Sequence, residues 1–150
     1  MSGTLKADSK LMNILLVEDN PADVLLTMEA LREGNTPHEI NAVNDGLEAL
    51  DYLRSEGKYA GAVCPDIIFL DINLPKKNGF EVLKEIKEDP ALKLIPVIIL
   101  TTSSSRKDIV KAYALCANCY ITKPIDLDDF FKIIRSIENF WFTVARLPSR

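Results

Sequence analysis

Five short apolar runs, each followed by a longer segment with helical spacing, constrain this chain more than any other feature. Residues 13–17 (NILLV), 66–70 (DIIFL) and 96–100 (PVIIL) show no polar alternation within their apolar stretch, as strands buried on both faces require. Residues 39–43 are more polar and read as a strand nearer the sheet edge, and 119–122 as the fifth strand. Between them lie helical segments. The first covers 22–33, with Pro21 at its opening turn and Gly34 past its end. The second starts at Asp45-Gly46 and stops by Gly57. The others cover 79–87, 107–115 and 127 to about 144. Strands joined by helical crossovers pair in parallel, with right-handed connections. The expected fold is therefore α/β: a doubly wound, five-stranded parallel sheet with five helices on its two faces.

A chain of 150 residues, 47% hydrophobic and 27% charged, holds one such domain. We expect residues 1–11 to be a flexible tail, 12–145 the domain and 146–150 a short C-terminal tail, leaving no room for an output domain. A net charge of −4 and a pI near 5.1 offer no electrostatic footprint for DNA. No apolar run approaches the roughly 18 residues of a membrane span, and Met1 to Lys10 lacks the apolar core of a secretion signal. Three cysteines suit a reducing cytoplasm better than a disulfide framework. Cys116-Ala-Asn-Cys119 follows a helix instead of preceding one, so no helix N-terminus activates a thiol there, and all three cysteines read as structural.

In doubly wound sheets polar groups that do chemistry collect at the C-terminal strand ends, above all where strand order reverses. Glu18 and Asp19 follow the first strand, Asp71 the third, Thr101 and Thr102 the fourth, and Lys123-Pro124 the fifth. If those strands are neighbours, three carboxylates converge. They cannot all stay ionised without a counter-charge, and Mg²⁺ is the natural one for oxygen ligands. Lys123 adds an ammonium and Thr101 a hydroxyl. The set suits an anion with several oxygens, a phosphoryl group best of all. The lone His38 stands away from these ends, so no Ser-His or Cys-His nucleophile is available. A carboxylate can itself accept the phosphoryl group. Asp71, at the end of the most buried strand, is the best candidate, with Asp19 serving the metal directly and Glu18 through water.

The segments 17–20 (VEDN), 70–75 (LDINLP), 100–101 (LT) and 120–124 (YITKP) together resemble the receiver domain of two-component response regulators. Residues 71–79, the Cys119-Tyr120 pair and residues 138–141 are similar to the single-domain, phytochrome-associated subfamily. The resemblance implies a flavodoxin-like (βα)5 fold with strand order 2-1-3-4-5. It implies Asp71 as phosphoacceptor, and Asp19, Asp71 and the backbone carbonyl of Asn73 as ligands of Mg²⁺. It further implies Lys123 as the family's lysine with a cis bond to Pro124, Thr101 as switch hydroxyl, and Tyr120 as the aromatic that turns inward. The implied partners are a sensor histidine kinase, of phytochrome type, and a downstream protein target or relay partner. Many receivers carry two aspartates where this chain has Glu18-Asp19.

Other readings weigh less. A binding-only receiver would lack Asp71 or Lys123. An aspartyl-phosphate phosphohydrolase would carry a second aspartate where Asn73 stands, and without that proton donor turnover is not expected. Lys76 and Lys77 read as solvated loop charges. In the last helix Phe130, Ile133, Ile134, Ile137 and Trp141 form a core stripe. Phe131, Phe140, Phe142 and Val144 are left over, which predicts a symmetric homodimer through this helix unless the chain end folds back over them.

Overall fold

A computed structural model describes residues 11–148, so all but the last residue of the tail expected over 1–11, and residues 149–150, lie outside the described chain. The strands are β1 (Met12–Val17), β2 (His38–Val43), β3 (Ile67–Leu70), β4 (Val97–Thr101) and β5 (Cys119–Thr122). They alternate with α1 (Pro21–Arg32), α2 (Gly46–Leu53), α3 (Gly79–Glu88), α4 (Arg106–Ala114) and α5 (Leu127–Ile137). All pairings are parallel and the order is β2-β1-β3-β4-β5, as expected. The polar β2 is indeed an edge strand.

Alternate strand residues feed two separate layers. Leu15, Val17, Ile68, Leu70 and Ile99 pack with Leu50, Val82, Leu83 and Ile86 from α2 and α3. Ile14, Leu16, Ile67, Phe69 and Ile98 pack with Leu31 of α1 and with Phe130, Ile134 and Ile137 of α5. Each such buried side chain stabilises the fold by about 1.5–3 kcal/mol relative to exposure. With both sheet faces filled, polar residues are pushed to the strand ends.

The helix starts are set by local chemistry. Asn20 accepts from the N–H groups of Ala22 (2.9 Å) and Asp23 (3.3 Å), with Pro21 in the first turn. Asn78 and Glu81 form a reciprocal capping box on α3. Asp45, Ser105 and Asp126 cap the others. These caps anchor the loops that carry the functional side chains.

The last helix differs from expectation. Its α-helical part stops at Ile137, and Glu138–Val144 continues as a wider π-type turn, with Ala145 N–H donating to Phe140 O at 2.7 Å. The extra residue per turn brings Phe142 inward, stacked on Phe69 with ring centroids 6.5 Å apart. Glu138 is buried, and its carboxylate accepts from the Thr36 N–H at 3.0 Å. A Cβ on Gly34 would fall 1.8 Å from that carboxylate, so the glycine makes room for it. Phe131 and Trp141 also pack on this layer, as does Leu147 from the segment expected to be a tail. Of the four residues expected to be left over, Phe140 and Val144 remain exposed.

Candidate functional site

The parallel register delivers the side chains to one edge. Val17 pairs with Leu70, Leu70 with Ile99, and Thr101 with Thr122. The ladder then runs one residue further: Asp71 N–H donates to Val17 O at 3.0 Å, and Lys123 N–H to Thr101 O at 2.6 Å. Because strand order reverses between β1 and β3, their C-terminal ends open onto the same crevice. Glu18, Asp71, Thr101 and Lys123 are buried there, while Asp19 is exposed at its mouth. One oxygen from each of Glu18, Asp19 and Asp71 lies within 4.8 Å of the others.

Lys123 organises the cluster. Its Nζ is 3.1 Å from Asp71 Oδ2 and 3.0 Å from Asp23 Oδ2, and it also donates to Glu18 Oε1. The other oxygen of Asp71 accepts from the Asn73 N–H at 3.1 Å. Burial pushes the Glu18 carboxyl up to about 7, despite the Lys123 ammonium that pulls it down. Burial by itself would depress the lysine, but the hydrogen bond to Glu18 and the charge of Asp71 outweigh it and hold the ammonium above its ordinary value. A proton gained near neutrality therefore goes to Glu18, and Lys123 stays charged. One ammonium among several carboxylates leaves the crevice short of positive charge. That deficit fits a divalent cation.

The loop after β3 is pressed against helix starts. A Cβ on Gly79 would lie 2.3 Å from the Asp71 carbonyl oxygen and 2.5 Å from Ile72 Cα, both backbone atoms. Any side chain there would displace the backbone that carries Asp71. Lys76 adopts φ +66° in the same loop and pairs with Asp45 at 3.5 Å. Lys77 departs from the solvated reading: it is largely covered and ion-paired to Glu85.

On the far side of the crevice, Thr101 Oγ1 accepts weakly from Ser103 N–H at 3.5 Å. The Ser103 carbonyl accepts from Tyr120 OH at 2.9 Å and from Thr122 Oγ1 at 3.3 Å. Burial raises the Tyr120 phenol, so it remains a donor. The expected cis bond before Pro124 is corrected: no cis peptide occurs among the described residues. The trans bond has the lower intrinsic energy, and Lys123 reaches its carboxylates with it in place. His38 begins β2, at the opposite end of the strand from the crevice. No disulfide joins Cys64, Cys116 and Cys119.

Asp23 is the site residue that sequence reading missed. The signal was present but weak: an acid in the first turn of the helix that follows Asp19 is ordinary helix chemistry. Nothing local says that it faces a lysine 100 residues away.

Residues 14–135 match the response regulator receiver domain family. The chain belongs to that family. It is 47% identical over 136 residues to the response regulator Rcp1 of Synechocystis, covering 91% of this chain and 92% of that protein. It is 41% identical to the probable methanogenesis regulatory protein FilR2 of Methanothrix harundinacea, covering 90% and 86%. Among solved structures, the phosphorylated cyanobacterial phytochrome response regulator RcpA superposes with a TM-score of 0.91 at 54% identity, over 93% of this chain and all of that one. Rcp1 in its Mn²⁺-bound form gives 0.89 at 46%, over 92% and 99%. The chain is thus a receiver of two-component signalling with a phosphoacceptor role.

Proposed function

We propose that Asp71 accepts a phosphoryl group from a sensor histidine kinase in a Mg²⁺-dependent reaction. The observation that carries this reading is the buried Asp71 carboxylate, held by Asn73 N–H on one oxygen and by the Lys123 ammonium on the other. Asp19, Asp71 and the Asn73 carbonyl would hold the cation, with Glu18 acting through water. When bound, Mg²⁺ would neutralise charge on the phosphoryl oxygens. An Asp71 oxygen attacks phosphorus, a P–O bond forms, and the P–N bond of the phosphohistidine breaks with its electron pair going to the imidazole. Lys123 stabilises the phosphoryl oxygens, and the Thr101 hydroxyl donates to one of them once the group is in place. The protein is not a turnover enzyme on this reading, because Asn73 supplies no acid to the leaving group.

The signal passes by conformational change or by onward phosphotransfer to a protein partner, not to DNA. The phytochrome relatives support a phytochrome-type kinase upstream. No described helix is long and apolar enough to cross a membrane; the cytoplasmic setting is part of the proposal and rests on the response-regulator relatives. Val110, Tyr113, Ile125, Leu127 and Phe140 expose apolar surface on α4, α5 and the segments flanking β5 and α5, and a second copy of this chain is the partner that closes such a patch by twofold symmetry.

The test is labelling of the full chain with acetyl phosphate, read by intact-protein mass. Wild type gains one phosphoryl group only with Mg²⁺ present, and Asp71→Asn gains none while keeping its fold. A phosphoryl group retained in Asp71→Asn would overturn the assignment.

A further inference from the structure

Asp23 has no part in the chemistry above, yet it occupies one of the three N–H donors of Lys123. The other two go to Glu18 and Asp71. These partners differ in what the reaction asks of them. Glu18 and Asp71 belong to the carboxylate group whose oxygens converge within 4.8 Å, and Asp23 does not. Glu18 and Asp71 would turn toward a cation held by that group. Phosphorylation then converts Asp71 from a carboxylate into an acyl phosphate. At that moment two of the three lysine partners have other claims on them.

Asp23 is placed to persist. It stands in the first turn of α1, where its backbone N–H is fixed by the Asn20 cap. Its side chain is three-quarters covered, and the lysine it meets is almost wholly buried. Its carboxylate sets the direction of a four-carbon stem that could otherwise swing among rotamers, each immobilised rotor costing entropy.

We propose that Asp23 is the positioning residue for Lys123: an anchor on α1 that keeps the ammonium aimed at the phosphoryl oxygens while its other two partners are engaged. The inference rests on Asp71 being the acceptor. With acetyl phosphate as donor, the new bond joins Asp71 Oδ to phosphorus. The bond broken is the one from phosphorus to the acetyl oxygen, and acetate leaves with the electron pair. No proton moves, and Lys123 stays an ammonium throughout.

The experiment compares full-length wild type with Asp23→Ala, Asp23→Asn and Asp23→Glu. Labelling rates are measured across acetyl phosphate concentration at saturating Mg²⁺, Mn²⁺ affinity by electron paramagnetic resonance of the free ion, and folding by thermal melting. Asp23→Asn keeps the volume should the alanine variant fail to fold. The anchor predicts that the saturating rate falls about tenfold in Asp23→Ala and Asp23→Asn. The half-saturating donor concentration and Mn²⁺ affinity stay unchanged, and Asp23→Glu recovers part of the rate. A wild-type rate in Asp23→Asn overturns the proposal. So does an equal loss of Mn²⁺ affinity, which would make Asp23 a cation ligand. A wild-type chain that takes no label at Asp71 defeats the phosphoacceptor reading itself. A labelled wild type beside an equally fast variant defeats the anchor alone.

Discussion

The Lys123 ammonium lies 3.1 Å from the Asp71 carboxylate across 52 residues of sequence, and both side chains are more than nine-tenths buried. Their strands are not neighbours. β4 stands between β3 and β5, so the lysine stem has to span the end of β4, where Thr101 is fully buried. Its length makes the pairing possible. A buried ion pair of this kind adds little net stability, but removing one partner leaves the other charged and unsolvated.

Lys123→Met should therefore destabilise the cation-free protein by about 3 kcal/mol in urea denaturation. Mg²⁺ should recover more of this loss than it adds to wild type, since a bound cation replaces the missing counter-charge and stabilises the folded state by mass action. An equal Mg²⁺ effect in both proteins would place the cation away from these carboxylates.

Thr101, Ser103 and Tyr120 form a relay, from the hydroxyl to the Ser103 N–H and from the Ser103 carbonyl to the Tyr120 phenol. Thr101→Ala should still accept phosphate on Asp71, with a stability cost of about 1 kcal/mol. It should lose the population shift in α4 and β5 that a phosphoryl mimic causes in wild type. Amide chemical shifts over Arg106–Ala114 and Cys119–Thr122 provide the measurement. Equal responses in the two proteins would remove Thr101 from the switch.

Two phenylalanines separated by one residue should respond in opposite ways. Phe142 stacks on Phe69, so Phe142→Asp should cost about 2–3 kcal/mol of stability in the isolated subunit. Phe140 is 51% exposed, and Phe140→Asp should leave stability within about 0.5 kcal/mol while weakening self-association. Sedimentation at micromolar concentration decides it: an unaltered dimer in Phe140→Asp would move the interface elsewhere, and a strict monomer in wild type would remove it.

The Tyr59 hydroxyl donates to Glu48 at 2.7 Å and, more than any other contact, holds that carboxyl below its ordinary pKa. A folded-state pKa depressed in this way contributes stability that is present above the ordinary value and is lost as pH falls through the lowered one. Tyr59→Phe should therefore lower the melting temperature near neutrality and lose less on acidification, with the two curves converging at pH values below the ordinary carboxyl range. Parallel curves would show that the hydrogen bond carries no pH dependence.

Strand ends are local features, which is why Glu18, Asp19, Asp71, Thr101 and Lys123 could be picked from one sequence. An apolar run buried on both faces announces where it stops, and the next polar residue emerges at the sheet edge. The β–α alternation likewise decided the parallel sheet, because crossover handedness leaves few other arrangements. What lay beyond reach depends on rotation about helix axes and on contacts between distant segments. Asp23 meets Lys123 only because α1 packs with its first turn toward the crevice. Phe142 packs against the core and Phe140 faces outward because the helix widens after Ile137, a change of phase that a 3.6-residue period does not contain. Glu138 is buried against Gly34 and Thr36, more than 100 residues earlier in the chain, a contact between distant segments. Sequence alone determined which polar groups stand at the ends of the buried strands. Tertiary structure decided which of them share the single ammonium, because that depends on the packing angle of a helix and the reach of one side chain.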